Sequence, residues 1–134
     1  MNTHRMQWDA LAAMLFIGAV SAVAGGIGLL GGGLTFPLDW LDGSPFTDYT
    51  IPGIILAIVG GVQFIAAVAM LRRLEGSVTA GAFAGIVMMG WIAGEVLIVG
   101  THGGLMLTLQ LIYFAVGLVQ LALAALLTRE RQRL

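Results

Sequence analysis

One carboxylate, Glu95, stands inside the apolar run from Ile86 to Val99 of this 134-residue chain. Burying an ionisable side chain in a stretch long enough to cross a bilayer is costly, so such a residue marks a functional site by default. At 100° per residue Trp91, Glu95 and His102 share one helical stripe, because steps of four and seven residues advance about 400° and 700°, each within about 40° of whole turns. In the next apolar run Gln110, Tyr113, Gly117 and Gln120 fall within an arc of about 80°. The apex between the runs lies near His102-Gly103, which sets Glu95 and Gln110 at a similar depth, roughly 10 Å below the outer end at 1.5 Å per residue. A Glu95–Gln110 hydrogen bond is expected, with Tyr113 as the second candidate partner. Gln63, the polar interior residue of another run, should face protein.

Two chemistries fit Glu95. In one, the acid is protonated or shares its charge with Gln110, Tyr113 or Trp91 and ties helices together; interhelical hydrogen bonds in membranes average only about 0.6 kcal/mol. In the other it responds to protons or cations, and His102, one or two turns above, relays protons to water. Nucleophilic catalysis has no seat: Ser21, Ser44 and Ser77 lack a nearby His and carboxylate, and no Gly-x-Ser-x-Gly occurs. The chain has no cysteine, no phosphate loop and no zinc signature. His4 and His102 fall at opposite ends, which disfavours a bis-histidine haem within one chain. No enzyme activity, cofactor or metal is expected.

The elements that must position these residues follow from composition. With 59% hydrophobic and 10% charged residues, far below the roughly 25% charged share of soluble domains, the chain has the bilayer as its solvent. A net charge of −1 gives no case for nucleic acid. The pattern predicts one all-α domain, an integral membrane four-helix bundle with spans at about 10–30, 53–71, 77–99 and 104–127. The first span starts like a signal peptide, with Arg5 and Ala22-Val23-Ala24, but its apolar stretch exceeds an h-region of about 7–15 residues, so an uncleaved helix capped by Asp9 is expected, with Trp8 at the headgroup level. Gly31-Gly32-Gly33 ends it.

Small residues recur at four-residue intervals: Gly18, Ala22 and Gly26; Gly53, Ala57 and Gly61; Gly81 with Gly85 and Gly90 with Gly94. Such stripes let helices approach closely. The short connections make the second and third, and the third and fourth, helices antiparallel neighbours.

All six basic residues, Arg5, Arg72, Arg73, Arg129, Arg131 and Arg133, lie at the termini or in the second connection, which predicts both termini inside. The outer connection between helices one and two carries Asp39, Trp40, Asp42, Asp48 and Tyr49, suited to a short folded cap with rings toward the acyl boundary and carboxylates toward water. Its three aspartates lack the spacing of a calcium loop.

The stretch Leu41-Asp42-Gly43-Ser44-Pro45-Phe46-Thr47-Asp48-Tyr49-Thr50-Ile51-Pro52-Gly53, together with Gly90-Trp91-Ile92 and Val96-Leu97-Ile98-Val99-Gly100, resembles a widespread group of small, uncharacterised four-span bacterial membrane proteins. That group is expected to share an L-x-G-S-P-F-x-D-Y-x-I-P-G connection and a G-W-I-x-x-[QE]-x-x-x-I-G third helix. The resemblance implies a bundle in the bacterial inner (cytoplasmic) membrane and supplies no activity. The four-span architecture also resembles DoxX-like proteins. Small multidrug exporters place their essential glutamate in the first helix, where this chain has no carboxylate beyond Asp9, and that likeness fails.

The leading functional expectation is a non-enzymatic accessory or structural subunit, its glycine stripes packing against itself or other membrane-protein subunits. The alternative is a transporter or ligand-binding protein in which Glu95, Gln63, Gln110, Tyr113 and His102 line a pocket beneath the aspartate-rich cap.

Overall fold

The computed structural model describes the backbone of residues 2–31 and 36–133, with side chains for 3–31 and 36–130. Within it four helices follow one another: α1 (Asn2–Gly31), α2 (Thr50–Leu71), α3 (Ser77–Ile98) and α4 (Gly103–Arg133). A short 3₁₀ turn, Leu38–Leu41, lies between α1 and α2. Gly32, Gly33, Leu34 and Thr35 lie outside the described residues. All four helices are long and apolar enough to cross a membrane. They pack in a closed ring, each against the helices before and after it and α1 against α4; the α1–α2 and α3–α4 faces are the most extensive.

The helices outrun the predicted spans at both termini. Asp9 does not cap α1; it sits well inside the helix, 4.0 Å from Arg5, one turn earlier on an exposed face. Such an i,i+4 pair supports continued helix, and the polar first turns project as an extension of the apolar rod. Across the bundle His4 Nδ1 lies 3.0 Å from Glu130 Oε2, so the ends of α1 and α4 brace each other. Trp8 donates its indole N–H to the Met70 carbonyl at 3.1 Å, and the Arg73 guanidinium lies 4.9 Å from its ring centroid. The ring is thus held on protein by the end of α2, where Met70 O is one of the carbonyls a helix terminus leaves without an intrahelical partner.

The solvent pattern is inverted relative to a soluble bundle. Ile17, Ile27, Ile65, Phe83, Leu97 and Leu111 are exposed, while Gln63, Ser77, Gln110 and Gln120 are buried. Lipid on the outside accounts for this, since aliphatic side chains gain little by leaving it and amides lose much by entering it.

From the terminal end upward the interior is layered. A dry cluster of Leu11, Leu15, Ala67, Met70, Val78 and Leu127 comes first. Above it Gln63 and Gln120 form a reciprocal amide pair, each donating to the other's Oε1 at 2.8 and 2.6 Å. Their second amide hydrogens go to Ala84 O (3.0 Å) and Met14 O (3.1 Å), so this one layer joins all four helices. Gly18 makes room for it: a Cβ there would overlap the Gln63 carboxamide. Ala22, Val59 and Met88 form the next layer.

The glycine stripes are largely spent within the chain. Gly26 rests on Gly53 and Ala57, Gly60 on Val23 and Ala19, and Gly85 on Gly117. Gly61, by contrast, faces nothing within 4 Å; the residue that closes the α1–α2 contact is its neighbour Gly60.

Candidate functional site

Above the Ala22 layer the helices part around a cavity of about 290 Å³. Leu29 of α1 and Pro52, Ile55 and Leu56 of α2 form one wall; Trp91, Glu95 and Ile98 of α3 with Met106, Gln110 and Tyr113 of α4 form the other. Phe36, Trp40, Leu41, Phe46 and Tyr49 of the connection cover it. Gly90 and Gly94 also line the space, and a Cβ at either would meet nothing within 4 Å. The room exists partly because α3 carries no side chains there.

The cover is built locally. Ser44 donates to Leu41 O at 2.6 Å and accepts from the Phe46 N–H at 3.2 Å, which holds the turn after the 3₁₀ segment. Asp48 accepts from the Thr50 N–H at 3.0 Å, satisfying one of the orphan donors at the start of α2, and this bond holds its carboxyl below the ordinary carboxylate range. Pro52 occupies the first turn of that helix, where a missing N–H does no harm. Tyr49 donates its hydroxyl to Pro37 O at 2.8 Å. Burial pushes its phenol above the ordinary range, with the Asp39 and Glu95 carboxylates adding in the same direction, so Tyr49 stays a neutral donor. Phe36 stacks on Trp40 with centroids 5.4 Å apart and meets the Tyr49 ring edge-on at 6.1 Å.

Of the residues singled out in the sequence, Glu95, Trp91, Gln110, Tyr113, Trp40 and Tyr49 come together at this cavity. Glu95 is turned into it. Asp39, Asp42 and Asp48 are exposed on the cover. Two residues belong elsewhere. Gln63 is deeper, in the amide layer with Gln120. His102 lies outside the lining, stacked on Trp40 at 6.3 Å, with a ring nitrogen 2.9 Å from Val99 O and its backbone N–H directed at Met106 Sδ. It clamps the α3–α4 turn to the cover rather than bridging Glu95 to water.

The Gln110 carboxamide lies against the Glu95 carboxyl, the partner expected for it, and also serves the turn: Nε2 donates to Gly100 O at 3.2 Å and Oε1 accepts from the Thr101 hydroxyl at 2.7 Å. The turn is tight, with Gly100 and Gly103 at φ +87° and +85°, a backbone region that glycine enters without strain. Its carbonyls have no water-rich alternative if the turn sits near lipid, and a side-chain amide meets the need.

Sequence reasoning missed Gln120 as the partner of Gln63, although both stand nine residues before an arginine, Arg72 and Arg129, and therefore at matched depth on two helices running the same way. It placed Phe46 with Trp40 and Tyr49 in the cap but missed Phe36, whose role depends on how the connection folds back and leaves no trace in helical periodicity.

The chain matches no known protein-family model, and no curated protein or solved structure shows detectable similarity to it.

What the arrangement can do chemically is narrow. An apolar, aromatic-lined chamber with one carboxylate, one carboxamide and two phenol hydroxyls has the chemistry of a site for a small lipophilic molecule with a single polar group. Among the described residues no Ser, Thr or Cys lines it.

Proposed function

We propose that this chain is a non-enzymatic, multi-pass membrane protein that binds a small lipophilic molecule in the chamber beneath its cover, with Glu95 as the polar anchor. The observation that carries the reading is the direction of Glu95: the carboxylate of α3 lines the cavity together with Trp91, Gln110 and Tyr113. Glycine stripes in a chain too short to cover them motivate the accessory-subunit expectation, yet most of these glycines are occupied by the chain's own helices. The pocket is therefore the better-supported reading.

The bias of all six arginines to one end supports a membrane orientation with both termini inside and the cover outside. With the resemblance of the Leu41–Gly53 stretch to small bacterial four-span proteins, it supports residence in a bacterial cytoplasmic membrane.

Tryptophan emission tests the reading. Trp40 and Trp91 line the cavity, whereas Trp8 sits at the far end, so a Trp8→Phe chain reports on the chamber. In nanodiscs, 1-bromonaphthalene should quench that emission with a saturating dependence, and Gly94→Leu, which fills the chamber, should abolish the saturable part. Linear quenching of equal slope in both chains would show simple partition into lipid and overturn the proposal.

A further inference from the structure

We propose that the ligand of this chamber is a lipophilic organic monocation, a protonated or quaternary amine whose charged head lies between Glu95 and the aromatic rings. The inference rests on the pocket reading and specifies its ligand class. Glu95 lines a space whose remaining walls are overwhelmingly apolar, and no arginine, lysine or histidine is among the lining residues. Residues 32–35, Gly-Gly-Leu-Thr, contain no basic side chain either. The chain's arginines belong to the other end of the bundle: α3 begins beside Arg72 and Arg73, and Glu95 follows Ser77 by eighteen residues, about 27 Å along the helix axis at 1.5 Å per residue. Among the described residues no basic side chain shares the lining with this carboxylate, His102 being set behind Trp40 with a ring nitrogen on Val99 O, and burial of an unpaired charge is unfavourable until a cation or a proton arrives.

The surroundings select the kind of cation. A bare divalent ion would need roughly six oxygen ligands, and the chamber offers one carboxylate, one carboxamide and two phenols. Six aromatic rings line it instead, from Phe36, Trp40, Phe46, Tyr49, Trp91 and Tyr113. Aromatic faces attract weakly hydrated organic ammonium groups, and the apolar remainder suits their hydrocarbon body. The approach carries the same sign: Asp39, Asp42 and Asp48 are exposed on the cover, with no basic residue between Leu34 and Leu71, which raises the local concentration of cations.

A matched pair of probes tests this. Benzyltrimethylammonium and neopentylbenzene have the same shape, with the quaternary nitrogen of the first replaced by carbon in the second. Binding of each is measured by equilibrium dialysis against nanodiscs of neutral phosphatidylcholine, with and without the chain. The cation should bind at least tenfold more tightly than its isostere, and Glu95→Gln should bring the two within twofold. Equal binding of both probes by the unaltered chain would overturn the cation inference while leaving the pocket standing. If neither probe binds above empty nanodiscs, the pocket reading falls and the inference with it. A cation preference surviving in Glu95→Gln would show that Glu95 does not anchor the charged head. The comparison of probes on the unaltered chain decides the question even should the variant fail to fold.

Discussion

The two ends of the bundle are built from the same residue types and do opposite things. Toward the termini, Gly60 and Gly85 bring backbones into contact and Gln63 pairs with Gln120, so the interior is filled and each hydrogen of those two amides has a partner. Toward the cover, Gly90 and Gly94 touch nothing, Gln110 turns to the α3–α4 connection, and the space left over contains Glu95. The difference lies in what faces each small residue. Gly85 meets Gly117 across the α3–α4 seam, whereas Gly94 meets a void on the same helix. A glycine stripe by itself does not say whether helices will close or part.

That contrast is best broken by making one change at both ends. Gly85→Ala should be the most disruptive substitution, because its Cβ would lie 2.7 Å from the Gly117 carbonyl oxygen and only backbone separation relieves the clash. Overpacking of this kind costs about 1–3 kcal/mol or more, and reversible unfolding in mixed micelles should lose at least that. Gly94→Ala has room for its methyl and should be neutral or stabilising by up to about 0.5–1 kcal/mol, the helix-propensity difference. Equal losses at both sites would mean that the two ends are packed alike.

The amide layer comes next in size. Gln120→Leu strips the Gln63 carboxamide of its partner on both its oxygen and its nitrogen and Met14 O of its side-chain donor, and should destabilise by about 1–3 kcal/mol. The double variant Gln63→Leu/Gln120→Leu should cost clearly less than twice that, since removing both partners leaves fewer stranded groups. A double-mutant cycle on unfolding free energies measures the coupling; strict additivity would contradict a direct pair.

Much of the architecture was legible in the residues. Four apolar runs, punctuated by Arg72-Arg73 and by glycines around His102, already imply four helices, because nothing else spans that much lipid with its backbone satisfied. The helix ends were not legible. Asp9 has the chemistry of a cap, yet α1 starts about two turns earlier and its first turns meet the end of α4 at His4 and Glu130. For the site, helical periodicity brought Glu95, Gln110 and Tyr113 to one depth and one seam correctly. Gln63 faces protein as expected, yet it and His102 lie outside the chamber, since a helical face leaves the height of a partner on another helix undetermined. For Gln110 periodicity gave the acid beside it and not the turn, because an amide can serve a nearby carbonyl as readily as the acid opposite it.

Smaller effects sharpen the comparison at the surfaces. Because the folded state favours ionised Asp48 through the Thr50 N–H, the unfolded chain binds its proton more readily, and the contribution is present at neutral pH and lost as pH falls through the acid range. Asp48→Ala should therefore flatten the acid limb of thermal stability against pH, lying below the unaltered chain by a constant amount at neutral and alkaline pH and converging with it in acid. At the other end the His4–Glu130 pair is well exposed, and Glu130→Gln should shift stability by no more than about 0.5 kcal/mol, an amount that added salt erases.

Everything proposed for Glu95 depends on the chamber around it being a space that a small polar molecule can enter from the cover side. The chain has no cysteine, so single thiols placed at Gly94 and at Ala66, which is buried in the filled half, can be compared without background. In sealed vesicles with the cover outward, a membrane-impermeant trimethylammonium methanethiosulfonate should label Gly94→Cys readily and leave Ala66→Cys untouched. An unreactive thiol at position 94, or equal reactivity at the two positions, would contradict an open chamber.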